Sequence, residues 1–228
     1  MKLSPADLFD LDGFRHKALF DGCVYAWDAL PKIAEYAAAH ARDERGEGVV
    51  VEEGAYITGA VLIGAGTRIE AGAYVRGPTI LGQNCEVRAN AYIRGDTIVG
   101  DGVVVGNATE LKNTVLLDRA QAPHYNYCGD SILGNDANLG AGTKLSNWKI
   151  AQDKTIKLRV GDQVIDTGLI KFGAILGDGS ATGCNSVLNP GTVLGRKVLV
   201  YANAAVRGYV PPNTIVKLRQ SHELTDSK

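Results

Sequence analysis

The chain has 228 residues, of which 45% are hydrophobic and 7% aromatic, and its formal net charge is −1. This composition predicts a soluble globular protein with one sizeable domain or two small ones, and the near-zero charge argues against nucleic acid and anionic membranes as partners. No apolar run approaches the ~18 residues of a transmembrane helix, and the N-terminus lacks a signal-peptide core, so we expect a cytoplasmic protein without a membrane partner.

Residues 1–48 precede the sequence repeat described below and form an N-terminal extension. They include the segment WDALPKIAEYAAAHARDE, in which Pro31 suits a first helical turn and an alanine-rich, charged run follows. We predict a helix from about Leu30 to Arg42. Because the terminal coils of a solenoid need covering, we expect this helix to cap the open end of the repeat domain.

A six-residue repeat dominates the rest of the chain. From Ile57 to Leu117 every sixth residue is aliphatic, and the frame returns in residues 133–145 and 176–206, with Thr182 as a polar exception. Such a repeat is typical of a parallel β-helix, in which three hexads make one coil of about 18 residues and coils stack ~4.8 Å apart. We predict an all-β solenoid domain over residues 49–219 and a flexible tail over residues 220–228.

Arg76, Arg94 and Lys112 are spaced by 18 residues, so we expect them to stack in one column of the solenoid. Each follows an inward aliphatic position and should point outward. Cations ~5 Å apart repel one another by something like 1 kcal/mol per pair in water-like surroundings. Two interpretations remain open: the column binds a phosphate or pyrophosphate group, or it is a solvated face paired with Asp96, Asp101 or Glu110.

Residues 121–130, QAPHYNYCGD, interrupt the repeat around His124, one of four histidines. The frame shifts by four residues between Pro123 and Leu133, which predicts that the chain bulges where His124 lies. A lone histidine is more often structural than catalytic, but a break in so regular a repeat favours a functional site. We expect no metal, because a three-histidine zinc site has no candidates near the coils.

A second interruption covers residues 149–170. The segment TIKLRVGDQVIDTG alternates apolar and polar residues around Gly161 and Asp162, a pattern that predicts a β-hairpin. We expect this arm to protrude from the coil and to contact a neighbouring subunit.

Residues 106–148, GNATELKNTVLLDRAQAPHYNYCGDSILGNDANLGAGTKLSNW, resemble the acetyltransferase domain of the bifunctional glucosamine-1-phosphate acetyltransferase/N-acetylglucosamine-1-phosphate uridyltransferase family. The family's motifs GN-x-x-E-x-K, H-x-x-Y-x-GD and N-x-G-A-G-T occur here in order, and the match extends back to Arg94 and forward to about Arg219. The resemblance implies a left-handed β-helix that assembles as a homotrimer, uses acetyl-CoA as co-substrate and has its active sites between subunits.

Carried over position by position, the resemblance assigns His124 as the general base for the sugar amine, with Glu110 and Asn147 orienting it and shaping the pocket. Ala141 matches the residue whose backbone N–H stabilises the tetrahedral oxyanion. The implied substrate-binding residues are Arg94, Lys112, Tyr127, Asn138 and Lys171, and the implied acetyl-CoA contacts are Cys184, Ala202 and Arg219.

The chain departs from the family pattern at several points. Cys184 replaces a serine near the thioester, Trp148 replaces a tyrosine, and the hairpin before Lys171 is longer. No glycine-rich GxGTR-type phosphate loop is present, so we expect no uridylyl transfer from this chain, and a separate nucleotidyltransferase is a candidate partner.

The sequence therefore predicts an acetyl-CoA-dependent N-acetyltransferase acting on an amino-sugar phosphate, first of all glucosamine 1-phosphate, by direct attack of the amine. Two alternatives remain: N-acylation of a nucleotide-linked amino sugar, or a sugar-phosphate-binding scaffold without turnover, which the departures at Cys184 and Trp148 favour. An acyl-enzyme is not expected, because Cys128 is a weak candidate nucleophile. The four cysteines lack CxxC spacing, so we expect reduced thiols.

Overall fold

Short parallel strands follow the six-residue repeat. The computed structural model describes residues 3–150 and 154–227 and stacks these strands into a parallel β-solenoid of about nine turns. The repeated aliphatic side chains point inward and form one continuous core, because a single coil cannot bury them without its neighbours. The architecture agrees with the predicted left-handed parallel β-helix.

The strands align in three stacks, which we call faces one, two and three. Face one contains Glu44–Arg45, Val61–Ile63, Thr79–Leu81, Thr97–Val99, Ala174–Leu176, Thr192–Leu194 and Tyr209–Val210. Face two contains Val50–Val51, Arg68–Ile69, Glu86–Val87, Val104–Asn107, Gln121–His124, Asn138–Leu139, Ala181–Thr182, Leu199–Val200 and Ile215–Val216. Face three contains Tyr56–Thr58, Tyr74–Arg76, Tyr92–Ile93, Lys144–Leu145, Val187–Leu188 and Ala205–Val206. Two longer strands, Glu110–Leu116 and Tyr127–Leu133, run from face three into face one.

The coil shortens from 18 to 17 residues at two tight corners between faces three and one. Ile93 pairs with Leu111, 18 residues later, whereas Leu111 pairs with Cys128, only 17 later. Asn113 and Asp130 occupy these corners with φ values of +50° and +47°, a conformation that asparagine and aspartate tolerate better than most residues. The tight corners carry the long strands directly from one face to the next.

The position of the frame break corrects the sequence-based expectation. The predicted four-residue shift and bulge at His124 are wrong, because the strand Gln121–His124 stays in parallel register with Val104–Asn107. One residue is lost earlier, at Asn113, and a second at Asp130, so Leu116 rather than Leu117 points into the core. Leu117 is buried on the outside of the coil instead.

The N-terminal segment packs along face one. It forms the helices Pro5–Leu8 and Ile33–His40 and the 3₁₀ helices Lys17–Phe20 and Ala26–Lys32, where a single helix over about 30–42 was predicted. Its buried apolar residues lie against outward side chains of the face-one strands, which include Leu62, Ile80, Ile98, Val115, Ile132, Ile175 and Val193. The segment does not cap the coil's end, because the larger apolar surface that needs burial lies along its side.

The predicted hairpin is present, but it folds back on its own coil. The strands Lys157–Val160 and Gln163–Asp166 pair antiparallel. Ile156, Leu158 and Phe172 are buried in the same cluster as Val193 on face one, so the arm does not protrude freely as expected. Of the expected 149–170 insertion, residues 151–153 lie outside the described residues.

Two further features concern the C-terminal residues and the hydropathy of the helices. Residues 220–227 are exposed and carry no helix or strand, and whether they form a flexible tail stays a prediction. Within the described ranges no helix combines the length and the hydropathy that crossing a bilayer requires.

Candidate functional site

A buried carboxylate organises the junction of faces three and one. The side chain of Asp130 is only 5% exposed, and it accepts hydrogen bonds from Lys112 Nζ at 2.9 and 3.1 Å. It also accepts from Asn113 Nδ2 at 2.9 Å and from Asn147 Nδ2. Tyr127 donates its hydroxyl to Asn147 Oδ1 at 3.3 Å. A charge this deeply buried needs such partners, so Asp130 holds Lys112 and Asn147 in fixed positions.

Gly129 makes room for this network. A Cβ atom at this position would lie 2.6 Å from Tyr127 Oη and 2.6 Å from Asn147 Nδ2. The tyrosine therefore folds over the backbone where other coils carry a side chain. Burial, with smaller contributions from Glu110 and Asp130, raises the pKa of the Tyr127 hydroxyl, so this group stays a neutral hydrogen-bond donor.

The predicted column of cations lies on face three. Arg94 and Lys112 follow consecutive inward residues, Ile93 and Leu111, and the Arg94 backbone N–H donates to the Leu111 carbonyl at 2.9 Å. Arg94 Nη1 donates to Glu110 Oε1 at 2.8 Å, and this bond raises the pKa of the arginine further. Arg94 and Lys112 thus each have a carboxylate partner, and one of the pairings considered from the sequence, that with Glu110, is present.

A second column lies at the corner between faces two and three. It contains four of the predicted site residues in successive coils, namely His124, Ala141, Cys184 and Ala202. The carbonyls of the first three each accept a hydrogen bond from the residue that follows the next member, at 2.9, 2.8 and 2.9 Å. The His124, Cys184 and Ala202 side chains are exposed. The imidazole therefore lies on the surface beside face three, not inside the core.

The backbone N–H of Ala141 has no acceptor among the residues that the structure describes. The same is true of Cys184 and Ala202, whereas the His124 N–H donates to Asn126 Oδ1 at 3.1 Å, so among the described residues the corner leaves the donor free in three of the four coils. A free N–H in the column of His124 is the kind of donor that an oxyanion accepts from.

Three other predicted residues occupy different places. Lys171 lies where the arm returns to the coil: its neighbour Phe172 donates to the Asn147 carbonyl at 3.2 Å, and its Nζ lies 5.6 Å from the centre of the Trp148 ring. The longer hairpin has therefore kept Lys171 beside Asn147. Asn138 is on face two and Arg219 follows the last strand, so a single chain does not bring these two to the cluster.

Asn113 and Asp130 belong to this candidate site, and sequence reasoning missed them. Asp130 is the last residue of the H-x-x-Y-x-GD motif. Both residues lie at the tight corners, so the feature of the sequence that could have identified them is the one-residue shortening of the repeat at each corner. The structure also excludes Cys128 as a nucleophile, since complete burial raises the pKa of its thiol far above the usual range. No group of three metal-ligating side chains occurs in residues 3–150 and 154–227.

Comparison with known proteins identifies the family to which the chain belongs. The family model described as GMPPB C-terminal domain matches residues 45–160 and 75–223, which together span most of the chain. The chain belongs to this family. The matched residues include faces two and three of the solenoid and the corner between them.

Individual relatives carry the names expected from residues 106–148, which confirms that resemblance. The bifunctional sugar-1-phosphate nucleotidylyltransferase/acetyltransferase of Sulfurisphaera tokodaii is 34% identical over 102 residues, 45% of this chain and 25% of that protein. The bifunctional protein GlmU of Methanocaldococcus jannaschii is 31% identical over 119 residues, 52% of this chain and 29% of that protein. The chain thus spans only about a quarter of the length of these curated relatives.

Among solved structures, AntD, an N-acyltransferase from Bacillus cereus in complex with dTDP and 3-hydroxybutyryl-CoA, is 15% identical with a TM-score of 0.32. The match covers 84% of this chain and 82% of that one.

Proposed function

We propose that the protein is an acetyl-CoA-dependent N-acetyltransferase for an amino-sugar phosphate, with glucosamine 1-phosphate as the first acceptor. The observation that carries this proposal is the column of His124, Ala141, Cys184 and Ala202 beside a face on which Arg94 and other cations stand. The names of the relatives support the same chemistry.

His124 acts as the general base. An amine attacks a thioester only when it is unprotonated, and a neutral imidazole at the surface can take the amine proton as the C–N bond forms. The Ala141 N–H donates to the oxyanion of the tetrahedral intermediate. When the C–S bond breaks, the imidazolium returns the proton to the departing thiolate of coenzyme A, so the proton balance closes without an acyl-enzyme.

Arg94 and Lys112 bind the phosphate. Lys112 uses two of its three N–H donors on Asp130, and Arg94 uses one of its five on Glu110. The remaining donors are held in place by these ion pairs, so little side-chain entropy is lost when an anion binds.

The active site is shared between subunits of a homotrimer. Asn138 and Arg219 lie away from the cluster in one chain, and a neighbouring chain would bring them to it. A stable monomer in sedimentation analysis would contradict this part of the proposal.

Thiol release from acetyl-CoA tests the function directly. We expect turnover with glucosamine 1-phosphate and none with N-acetylglucosamine 1-phosphate, the matched control that lacks a free amine. A panel of nucleotide-linked amino sugars and longer acyl donors separates the proposed acceptor from the alternatives. If no member of the panel releases thiol, the protein is a binding scaffold and the proposal is wrong.

A further inference from the structure

Two outward columns extend along face three from the candidate site towards the N-terminal coils. One column is aromatic and contains Tyr56, Tyr74 and Tyr92, and the other is cationic and contains Arg76 and Arg94. In the strand Tyr74–Arg76 the two side chains are two residues apart, so they point to the same side, about 7 Å from one another. Tyr92 and Arg94 repeat this arrangement in the next coil.

The aromatic column is open to solvent. Tyr56, Tyr74 and Tyr92 are 61%, 38% and 39% exposed, and their neighbouring ring centroids are 6.3 and 5.7 Å apart. The column continues into the candidate site, since Tyr92 pairs with Glu110 and Glu110 pairs with Tyr127.

Arg76 has no role in the site described above. Among the described residues no carboxylate lies within 4.0 Å of its guanidinium, whereas Arg94 and Lys112 are each paired. An exposed, unpaired guanidinium next to Arg94 and beside two aromatic rings offers a site for a second phosphate and a ring system.

We propose that this strip, defined by Tyr56, Tyr74, Tyr92, Arg76 and Arg94, binds the nucleoside diphosphate part of a nucleotide-linked amino sugar. The inference rests on the proposed function and extends its acceptor. Two guanidinium groups one coil apart suit two linked phosphates, because each can make charge-assisted bonds to one of them. Tyrosine rings suit a nucleobase, since every base can stack on an aromatic face.

The order of the groups along the coil axis matches such a ligand. Along face three, Arg94 lies two coils from the coil of His124, Arg76 lies three coils away and Tyr56 four. At the spacing of paired strands these separations along the axis are roughly 10, 14 and 19 Å. Amine, diphosphate and base follow one another in the same order in a nucleotide-linked sugar. A simple sugar phosphate would end at Arg94 and leave the rest of the strip unused.

Titration calorimetry with the full chain tests the strip. We expect UDP to bind at least tenfold more tightly than UMP or inorganic phosphate, and Arg76→Ala to weaken UDP binding about tenfold. Tyr74→Ala should weaken UDP and UMP alike, and Tyr74→Phe, which keeps the ring, should stay within about twofold. Arg207→Ala is the matched control, because Arg207 follows an inward residue of face three in a C-terminal coil and is also exposed.

Several outcomes would overturn the inference. UDP binding no tighter than phosphate, or an equal loss in Arg207→Ala, would show that the strip does not recognise a diphosphate. A change in sedimentation of Arg76→Ala or Tyr74→Ala with unchanged UDP affinity would identify a subunit interface instead.

The thiol-release assay separates this inference from the proposed function. Turnover of glucosamine 1-phosphate without UDP binding refutes the strip alone. UDP binding that Arg76→Ala weakens, with no thiol release from any acceptor, supports the strip and refutes the acetyltransferase.

Discussion

Faces one and three use the same strand-and-turn repeat but carry opposite outward chemistry. On face one the outward side chains of Ile80 and Ile98 are buried beneath the chain's own N-terminal segment. On face three the equivalent outward positions include Tyr92 and Glu110, which stay accessible. The inward residues build the same core on both sides, so the outward residue alone decides whether a face is covered by the chain or left for a ligand.

The largest expected difference concerns activity at the corner of face three. Replacing His124 by alanine should lower kcat for acetyl transfer by about 10²- to 10⁴-fold, because the amine loses its base. The fold should remain, since the side chain is exposed. His40→Ala, an exposed histidine on the segment that covers face one, is the control and should keep the parent rate. Equal rates for the His124→Ala protein and the parent would refute the general-base role.

Where faces one and three meet, the buried carboxylate of Asp130 should contribute more to the free energy of unfolding than an exposed carboxylate does. Asp130→Ala leaves Lys112, Asn113 and Asn147 without their acceptor, and we expect a loss of about 3–5 kcal/mol in the free energy of unfolding. Asp136→Ala removes an exposed carboxylate paired with Arg119 and should cost about 1 kcal/mol or less. Chemical denaturation measures both, and similar losses in the two variants would contradict the organising role of Asp130.

Truncating one outward side chain on each face compares how much the two faces contribute to the free energy of unfolding. Ile98→Ala removes a fully buried side chain from face one and should cost about 2–5 kcal/mol. Tyr92→Ala, on face three, should change the free energy of unfolding by about 0.5 kcal/mol, since the residue is 39% exposed. If Tyr92→Ala is the more destabilising variant, face three is not an open surface in solution.

The last expected effect is the pH dependence of the N-terminal segment. His16 is only 8% exposed, its Nδ1 lies 3.3 Å from Tyr36 Oη, and burial lowers its pKa from 6.5 to about 4, with Arg15 and His40 adding to this and Asp101 opposing it. The folded state therefore favours the neutral ring. Its contribution is complete above pH 6.5 and is lost as the pH falls towards 4, by about 3 kcal/mol at most.

Unfolding experiments at pH 7 and pH 4.5 check this effect. The parent should lose stability on acidification more than His16→Gln, which cannot gain the proton. Parallel losses in both proteins would assign the acid sensitivity to other groups.

Several site features were predictable because they follow from spacing. Residues 18 apart must share a column as long as the coil keeps its length, so Arg94 and Lys112 were placed together correctly. The frame was misread from Asn113 onwards, where one missing residue has no signature of its own in residue type. The partners of the cations were only partly predictable: Glu110 is on the same face, but Asp130 reaches Lys112 through a tight corner.

The sequence alone determined the solenoid, its inward core and the motif around His124, because a six-residue period specifies which side chains face inward wherever it is kept. Only the tertiary structure decided that the N-terminal segment and the arm both cover face one, and that Asp130 gathers Lys112, Asn113 and Asn147. Periodicity records whether a residue points in or out of the coil. It does not record which distant surface an outward apolar residue meets, and that choice depends on where the largest apolar area can be buried.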